Sequence, residues 1–150
     1  MRIDKTNYYL DIAQTVAERA TCLRKRFGSV IVKNDAIIST GYNGAPRGRA
    51  NCTDLGICLR EKFSIPSGTR YELCRSVHAE ANAITKVAAS SNSSRGATIY
   101  VTSSPCIECA KLIIQSGIRR VVYSEDYRLA DGIELLRRAG ITVDYIDLND

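Results

Sequence analysis

No stretch of this chain approaches the roughly 20 consecutive apolar residues that a bilayer-spanning helix needs. Its first residues, Met-Arg-Ile-Asp-Lys-Thr-Asn, lack the apolar core of a secretory signal. The expectation is therefore a soluble, cytoplasmic protein with no membrane partner. There is no internal repeat and no low-complexity segment, so neither a repeat architecture nor disorder is indicated. Histidine is reduced to a single residue, His78. The charge balance is also muted. With 21 basic and 16 acidic residues the net charge is +5. That suits an anionic partner without choosing between a nucleotide phosphate, tRNA and DNA, and plain solubility explains it equally well.

What is present is an ordinary globular chain of 150 residues with 45% hydrophobic content. That length is one domain, residues 1–150, able to bury its core without disulfides. Six cysteines are then the notable count. A cytoplasmic chain rarely keeps disulfides, so metal binding or thiol chemistry is the better explanation for several of them.

Apolar periodicity predicts a helix over residues 5–24, through Tyr8, Tyr9, Ile12, Val16 and Ala20. Residues 27–33 and 36–42 read as two strands joined by the Asn34-Asp35 turn. Residues 43–70 are punctuated by Gly44, Pro46, Gly48, Gly56 and Pro66, and read as a mostly irregular segment with a short helix near Leu59. An irregular segment this long inside a compact domain is usually functional. A helix over 77–89, a strand over 97–102 and a helix from Pro105 to Ser116 follow. Then come a strand over 120–123, a helix over 131–139 and a strand over 141–146. This order predicts an α/β fold, a sheet with helices on both faces that runs parallel after the first hairpin.

Cys106 and Cys109 stand in Pro-Cys-Ile-Glu-Cys at a predicted helix start. Spacing of three puts both sulfurs on one face, and the helix N-terminus favours their ionised form. Alone, a Cys-x-x-Cys pair is equally a redox pair or half of a structural zinc site. His78 lies in Val-His-Ala-Glu80, also at a predicted helix start. Residues two apart do not share a helix face. They serve one site only if that site lies off the helix end. Three ligands, His78, Cys106 and Cys109, leave one zinc position open for water, which is the catalytic arrangement, and Glu80 supplies a proton carrier. The bland alternative is a closed structural zinc with Glu80 incidental. His-x-Glu followed by Pro-Cys-x-x-Cys is the signature of zinc deaminases.

Four segments extend the match: Gly41-Tyr-Asn-Gly-Ala-Pro46, Cys74-Arg-Ser-Val-His-Ala-Glu-Ala-Asn-Ala-Ile84, Tyr100-Val-Thr-Ser-Ser-Pro-Cys-Ile-Glu-Cys109 and Ser116-Gly-Ile118. With them the chain resembles the deoxycytidylate (dCMP) deaminase family of the cytidine deaminase superfamily. The resemblance implies a three-layer α/β/α sandwich with a five-stranded mixed sheet. It implies zinc-dependent hydrolysis of dCMP to dUMP and ammonia, feeding dTMP synthesis. It places Asn43 at the deoxyribose and the backbone around Thr102, Ser103 and Pro105 at the base. It sets Arg26, or a neighbour in Arg24-Lys-Arg26, at the phosphate, and Tyr127 or Tyr123 over the nucleotide. Its partners are small nucleotides instead of nucleic acid.

Some members are hexamers activated by dCTP with Mg²⁺ and inhibited by dTTP. Tyr42, Asn43, Gly44 and Arg47 resemble that effector region. Some phage members also carry a second, structural zinc, and Cys22 and Cys52 match two of its ligands. With Cys58 and Cys74 as substitutes, the expectation is a closed four-cysteine site pinning residues 43–75. Buried unreactive thiols are the simpler reading of the same four. A tRNA adenosine deaminase is the nearest alternative. A zinc-stabilised binding module, as in a DNA-uptake role, is the alternative of a different class, and Glu80 argues against it.

Overall fold

The computed structural model describes residues 2–66, 73–126 and 130–147. Helix α1 spans Lys5–Ala17, and strands β1 (Gly28–Lys33) and β2 (Ala36–Tyr42) form a hairpin. Two one-turn helices follow, α2 (Cys52–Leu55) and α3 (Leu59–Lys62). Then come α4 (Ala79–Ala88), β3 (Thr98–Val101), α5 (Ile107–Gln115), β4 (Arg120–Tyr123), α6 (Asp131–Arg138) and β5 (Thr142–Tyr145). The five strands form one sheet in the order β2-β1-β3-β4-β5. β1 is antiparallel to both β2 and β3, while β3, β4 and β5 run parallel. The expected mixed sheet is therefore present.

The hairpin turns at Asn34 and Asp35, both in the left-handed region with φ of 51° and 60°. Such a turn matches the strand twist, and Asn and Asp tolerate it better than other residues. Asp35 is then held from outside by Lys5 Nζ at 2.8 Å and the Tyr9 hydroxyl at 2.7 Å. These contacts tie α1 to the hairpin tip.

Helix α1 covers one face of the sheet, where Leu10 and Ala13 meet Val30, Tyr100 and Val122. Helices α4, α5 and α6 cover the other, through Ala83, Ala110, Ile113, Ile133 and Leu136 against Ile31, Ile99 and Val121. Three layers result. Helix α1 stops at Ala17, seven residues short of the helix expected over 5–24. The backbone beyond is taken by other partners: Thr21 N–H bonds the Asn43 carbonyl, and the Thr21 carbonyl accepts from Thr53 N–H. Helical propensity over 18–24 loses to tertiary hydrogen bonds.

Two glycines set how closely the layers approach. A Cβ on Gly28 would lie 2.1 Å from the Ala13 carbonyl oxygen of α1. One on Gly41 would lie 2.2 Å from the Ala79 carbonyl oxygen and 2.6 Å from the Ala83 nitrogen. Helix α4 thus lies directly on the backbone of β2. Two buried serines bind it there, Ser29 to the Ala79 carbonyl at 2.9 Å and Ser39 to the Ala83 carbonyl at 2.7 Å. Gly41→Ala should force α4 off the sheet. The expected loss is about 1–3 kcal/mol of unfolding free energy, read by urea denaturation. An unchanged midpoint would show that the contact is not a constraint.

Candidate metal centre and its cavity

Two helix N-termini converge below the end of the sheet. His78 is the N-cap of α4, with extended φ of −65° and ψ of 154°. Cys106 is the N-cap of α5 in a similar conformation, φ −71° and ψ 169°. Helix α5 therefore begins at Ile107, two residues later than Pro105, the expected first helical position. The Cys106 sulfur occupies the cap and accepts from Cys109 N–H at 3.5 Å. The backbone before α4 is fixed by a two-way bridge between Gly44 and Val77. Asn82 reinforces it, donating from Nδ2 to the Tyr42 carbonyl at 2.7 Å.

The result is a compact ligand set. His78 Nδ1 lies 3.5 Å from Cys106 Sγ and 3.3 Å from Cys109 Sγ. All three donor atoms fall within 4.8 Å of one another. Tetrahedral zinc, with bonds near 2.3 Å to sulfur and 2.0–2.1 Å to nitrogen, needs an S···N edge of roughly 3.6 Å. The residues present fit zinc. Among the described residues this is the group of His, Cys, Asp and Glu side chains drawn together this tightly.

The ionisation of the set suits a cation. Cys106 is pushed down to about 4, chiefly because Cys109 donates to its sulfur and His78 stands beside it. Cys109 is driven up, as the donor to that thiolate and by burial. Burial opposes the charged imidazolium of His78, but Cys106 and Glu80 outweigh it and raise His78. One thiolate shared among three close donors is a cluster that releases protons when a metal binds.

Glu80 sits in the first turn of α4 and is only 7% exposed. Burial raises its carboxyl to about 7 against the partial offset of His78. His78 before the helix and Glu80 within it reach one place because that place lies off the helix end.

A cavity of about 290 Å³ opens onto these groups, lined by His78, Glu80 and Cys106 together with Asn43, Ser103 and Ser104. Asn43 is buried, accepts from Phe27 N–H at 2.8 Å and donates to the Lys25 carbonyl at 2.8 Å. Its amide keeps one hydrogen and one lone pair for a further partner. The Ser103 hydroxyl is buried without a hydrogen-bond partner. Thr102 stands behind, its hydroxyl accepting from Gly28 N–H at 3.2 Å, and Pro105 is fully buried. Neither is among the residues lining the cavity. Arg26 is exposed and also outside that lining, whereas Arg24 and Lys25, the neighbours that the resemblance equally allows, border it. Tyr127 lies outside the described residues. Tyr42 is half-buried, Gly44 buried and Arg47 exposed, next to the bridge that leads into His78.

Cys22, Cys58 and Cys74 line the same cavity, and Cys52 is buried nearby. Burial raises the Cys52 and Cys74 thiols, and each is raised further by Cys22 and Cys58. Among the described residues no three of them form a group as tight as the His78 set. Arg60 and Ser76 line the cavity too; Ser76 stands in the matched segment 74–84, two residues before His78, while Arg60 lies outside the four matched segments. Arg60, however, stands in a Cys-Leu-Arg triplet that repeats the one ending at Arg24.

The Glu80 environment has a measurable consequence. Its folded pKa of about 7 exceeds the unfolded value of 4.5. The native state thus holds a proton that the unfolded state releases. Stability from this group is full below 4.5 and is lost as pH rises through about 7. In protein stripped with a chelator, the wild type should lose on the order of 3 kcal/mol across that window relative to Glu80→Gln. Parallel stability curves for the two proteins would contradict this.

Comparison with known proteins agrees with this geometry. The sequence profile of the cytidine and deoxycytidylate deaminase zinc-binding region matches residues 3–125. ComE operon protein 2 of Bacillus subtilis (strain 168) is 37% identical over 150 residues, covering 99% of this chain and 75% of that protein. The deoxycytidylate deaminase of Mycobacterium phage D29 is 42% identical, covering 83% of this chain and 98% of its own. The crystal structure of dCMP deaminase from cyanophage S-TIM5, in complex with dCMP and dUMP, superposes with a TM-score of 0.79 at 31% identity. It covers 97% of this chain and 99% of that one. The profile spans both ligand motifs and Glu80, and the chain belongs to the cytidine and deoxycytidylate deaminase zinc-binding family.

Proposed function

We propose that the protein is a zinc-dependent hydrolase converting dCMP and water to dUMP and ammonia. The observation that carries this is the three-donor cluster of His78, Cys106 and Cys109 beside buried Glu80, opening on a cavity that also holds Asn43. When bound at those three donors, zinc would acidify a water and make it a nucleophile near neutral pH. Glu80, as carboxylate, accepts the proton of the attacking water as a C–O bond forms at C4 of the pyrimidine. It returns that proton to N3. It then carries a second proton from the new hydroxyl to the amino group, and the C4–N bond breaks to release ammonia. A carboxyl held near 7 is suited to both tasks, since both forms are populated at neutral pH. Asn43 faces the deoxyribose with its remaining donor and acceptor, and Ser103 and its neighbours border the base.

General acid–base transfer is worth ~10²–10⁴-fold. Glu80→Ala should retain metal and lose turnover by that range or more. Near-normal ammonia release from dCMP in this variant would end the assignment. A panel of dCMP, CMP, deoxycytidine and tRNA, with and without dCTP and Mg²⁺, identifies the substrate and any effector response together.

The reading extends to regulation and assembly. An effector site at Tyr42, Asn43, Gly44 and Arg47 is supported by their position one bridge away from His78. A homohexamer is supported by the exposed Ile107 and Leu112 of α5, and light scattering with and without dCTP tests it. All six cysteines are thiols, in keeping with a cytoplasmic location. No helix of the described residues is long and apolar enough to cross a membrane.

A second, structural zinc on Cys22, Cys52, Cys58 and Cys74 is supported by the mutual influence of their thiols at one wall of the cavity. Elemental analysis should give two zinc ions per chain, falling to one in Cys22→Ser. One zinc per wild-type chain would remove this site.

A further inference from the structure

Two cavity residues that belong to separate segments are tied by one side chain. Asn82, the fourth residue of α4, is half-buried and is not among the residues lining the cavity. Its Nδ2 donates to the Tyr42 carbonyl at 2.7 Å and to the Val77 carbonyl at 3.3 Å. Tyr42 precedes Asn43, and Val77 precedes His78. We propose that Asn82 is a positioning residue, whose amide fixes the spacing between the Asn43 side of the cavity and the metal ligand His78. This rests on the deaminase reading of the cavity and names a residue that registers the pyrimidine over the metal centre.

Helix packing alone does not require an amide here. Ser29 and Ser39 already bind the Ala79 and Ala83 carbonyls of α4, and Lys86 Nζ donates to the Thr40 carbonyl of β2 at 2.9 Å. Asparagine is also a weak helix former, because its side chain competes for nearby backbone groups. In Asn82 that competition is turned outward. Its Nδ2 hydrogens go to carbonyls that precede the helix, while its backbone N–H makes the regular bond to the His78 carbonyl at 2.9 Å. The Val77 carbonyl also accepts from Gly44 N–H at 3.2 Å, and Val77 N–H donates to the Gly44 carbonyl at 2.7 Å. Asn43 is therefore gripped on both flanks, through Gly44 by the bridge and through Tyr42 by Asn82. A bridge by itself can hinge, and a second bond on the other side of Asn43 removes that freedom. Away from the metal, the Asn43 side chain is anchored to Phe27 and Lys25. Asn82 supplies the link from this anchored residue to the ligand. An asparagine amide has two hydrogens for the two carbonyls. Ionised aspartate has none to give, and leucine has the volume alone.

The test uses the zinc-loaded protein with its Asn82→Leu, Asn82→Gln, Asn43→Ala and combined Asn43→Ala, Asn82→Leu variants. Turnover of dCMP per bound zinc and calorimetric binding of dUMP are measured well below each unfolding transition. Misplacing a reacting group by about 1 Å costs on the order of 10²-fold. Asn82→Leu should retain its zinc, lose kcat by roughly 10- to 100-fold and weaken dUMP by about tenfold. Asn82→Gln, which keeps both hydrogens on a longer stem, should lose less. In the Asn43→Ala background the leucine change should alter dUMP affinity by less than about twofold, because the two residues act as one unit. A helix-packing role would lower only the unfolding midpoint. Wild-type kcat and dUMP affinity in Asn82→Leu would overturn the proposal, as would losses that multiply in the combined variant. If Asn82→Leu or Asn43→Ala does not fold, Asn82→Gln or Asn43→Ser takes its place in the same cycle. If the wild type itself releases no ammonia from dCMP, the deaminase reading fails; unaltered variants of an active wild type overturn the positioning role alone.

Discussion

The whole site depends on two helix N-termini meeting at one point. An α-helix begins with unpaired N–H groups and a partial positive charge, so its first residues favour anionic partners. Cys106 takes that position in α5 as its cap, and the same bond that ends the helix helps hold the sulfur ionised. His78 caps α4 with extended backbone, which turns its ring toward the sulfurs instead of along the helix. Everything else in the fold keeps those two ends together. Gly41 lets α4 lie on β2, Ser29 and Ser39 bind it there, and the parallel β3 delivers α5 from the same sheet.

Placing the ligands off the helix ends has a second effect. Glu80, two residues after His78, lies in the first turn and is buried by the layer that holds α4. Burial, more than any neighbouring charge, raises its carboxyl to about 7. A carboxyl that shares its proton near neutral pH in the metal-free protein is obtained chiefly by packing. The cost is a native state that destabilises itself as this carboxyl is asked to ionise.

The long irregular segment after Asn43 is the other half of the cavity. It has little apolar core of its own, and short helices α2 and α3 order it only locally. Cys58, Arg60 and Cys74 of this segment line the cavity together with Cys22 and Arg24 from the chain after α1. The segment that is hardest to read as structure thus contributes part of the cavity wall.

The sequence by itself determined the chemistry of the metal centre. His78, Glu80, Cys106 and Cys109 stand in motifs whose spacing expresses ligand geometry directly, and strand and helix periodicity set the order of elements along the chain. It also marked Asn43, because a motif carried it. Only the tertiary structure decided what lines the rest of the cavity. Arg26 and Arg24 are equivalent as sequence, and only the folded chain separates the exposed side chain of Arg26 from Arg24 at the cavity. Helix α1 ends at Ala17 because the backbone at 21 is bonded to Asn43 and Thr53, partners that no local pattern announces. Arg60 reaches the cavity by long-range packing of the same kind. Motifs record bonds that a site must make within a few residues. Long-range contacts depend on how distant segments close upon one another.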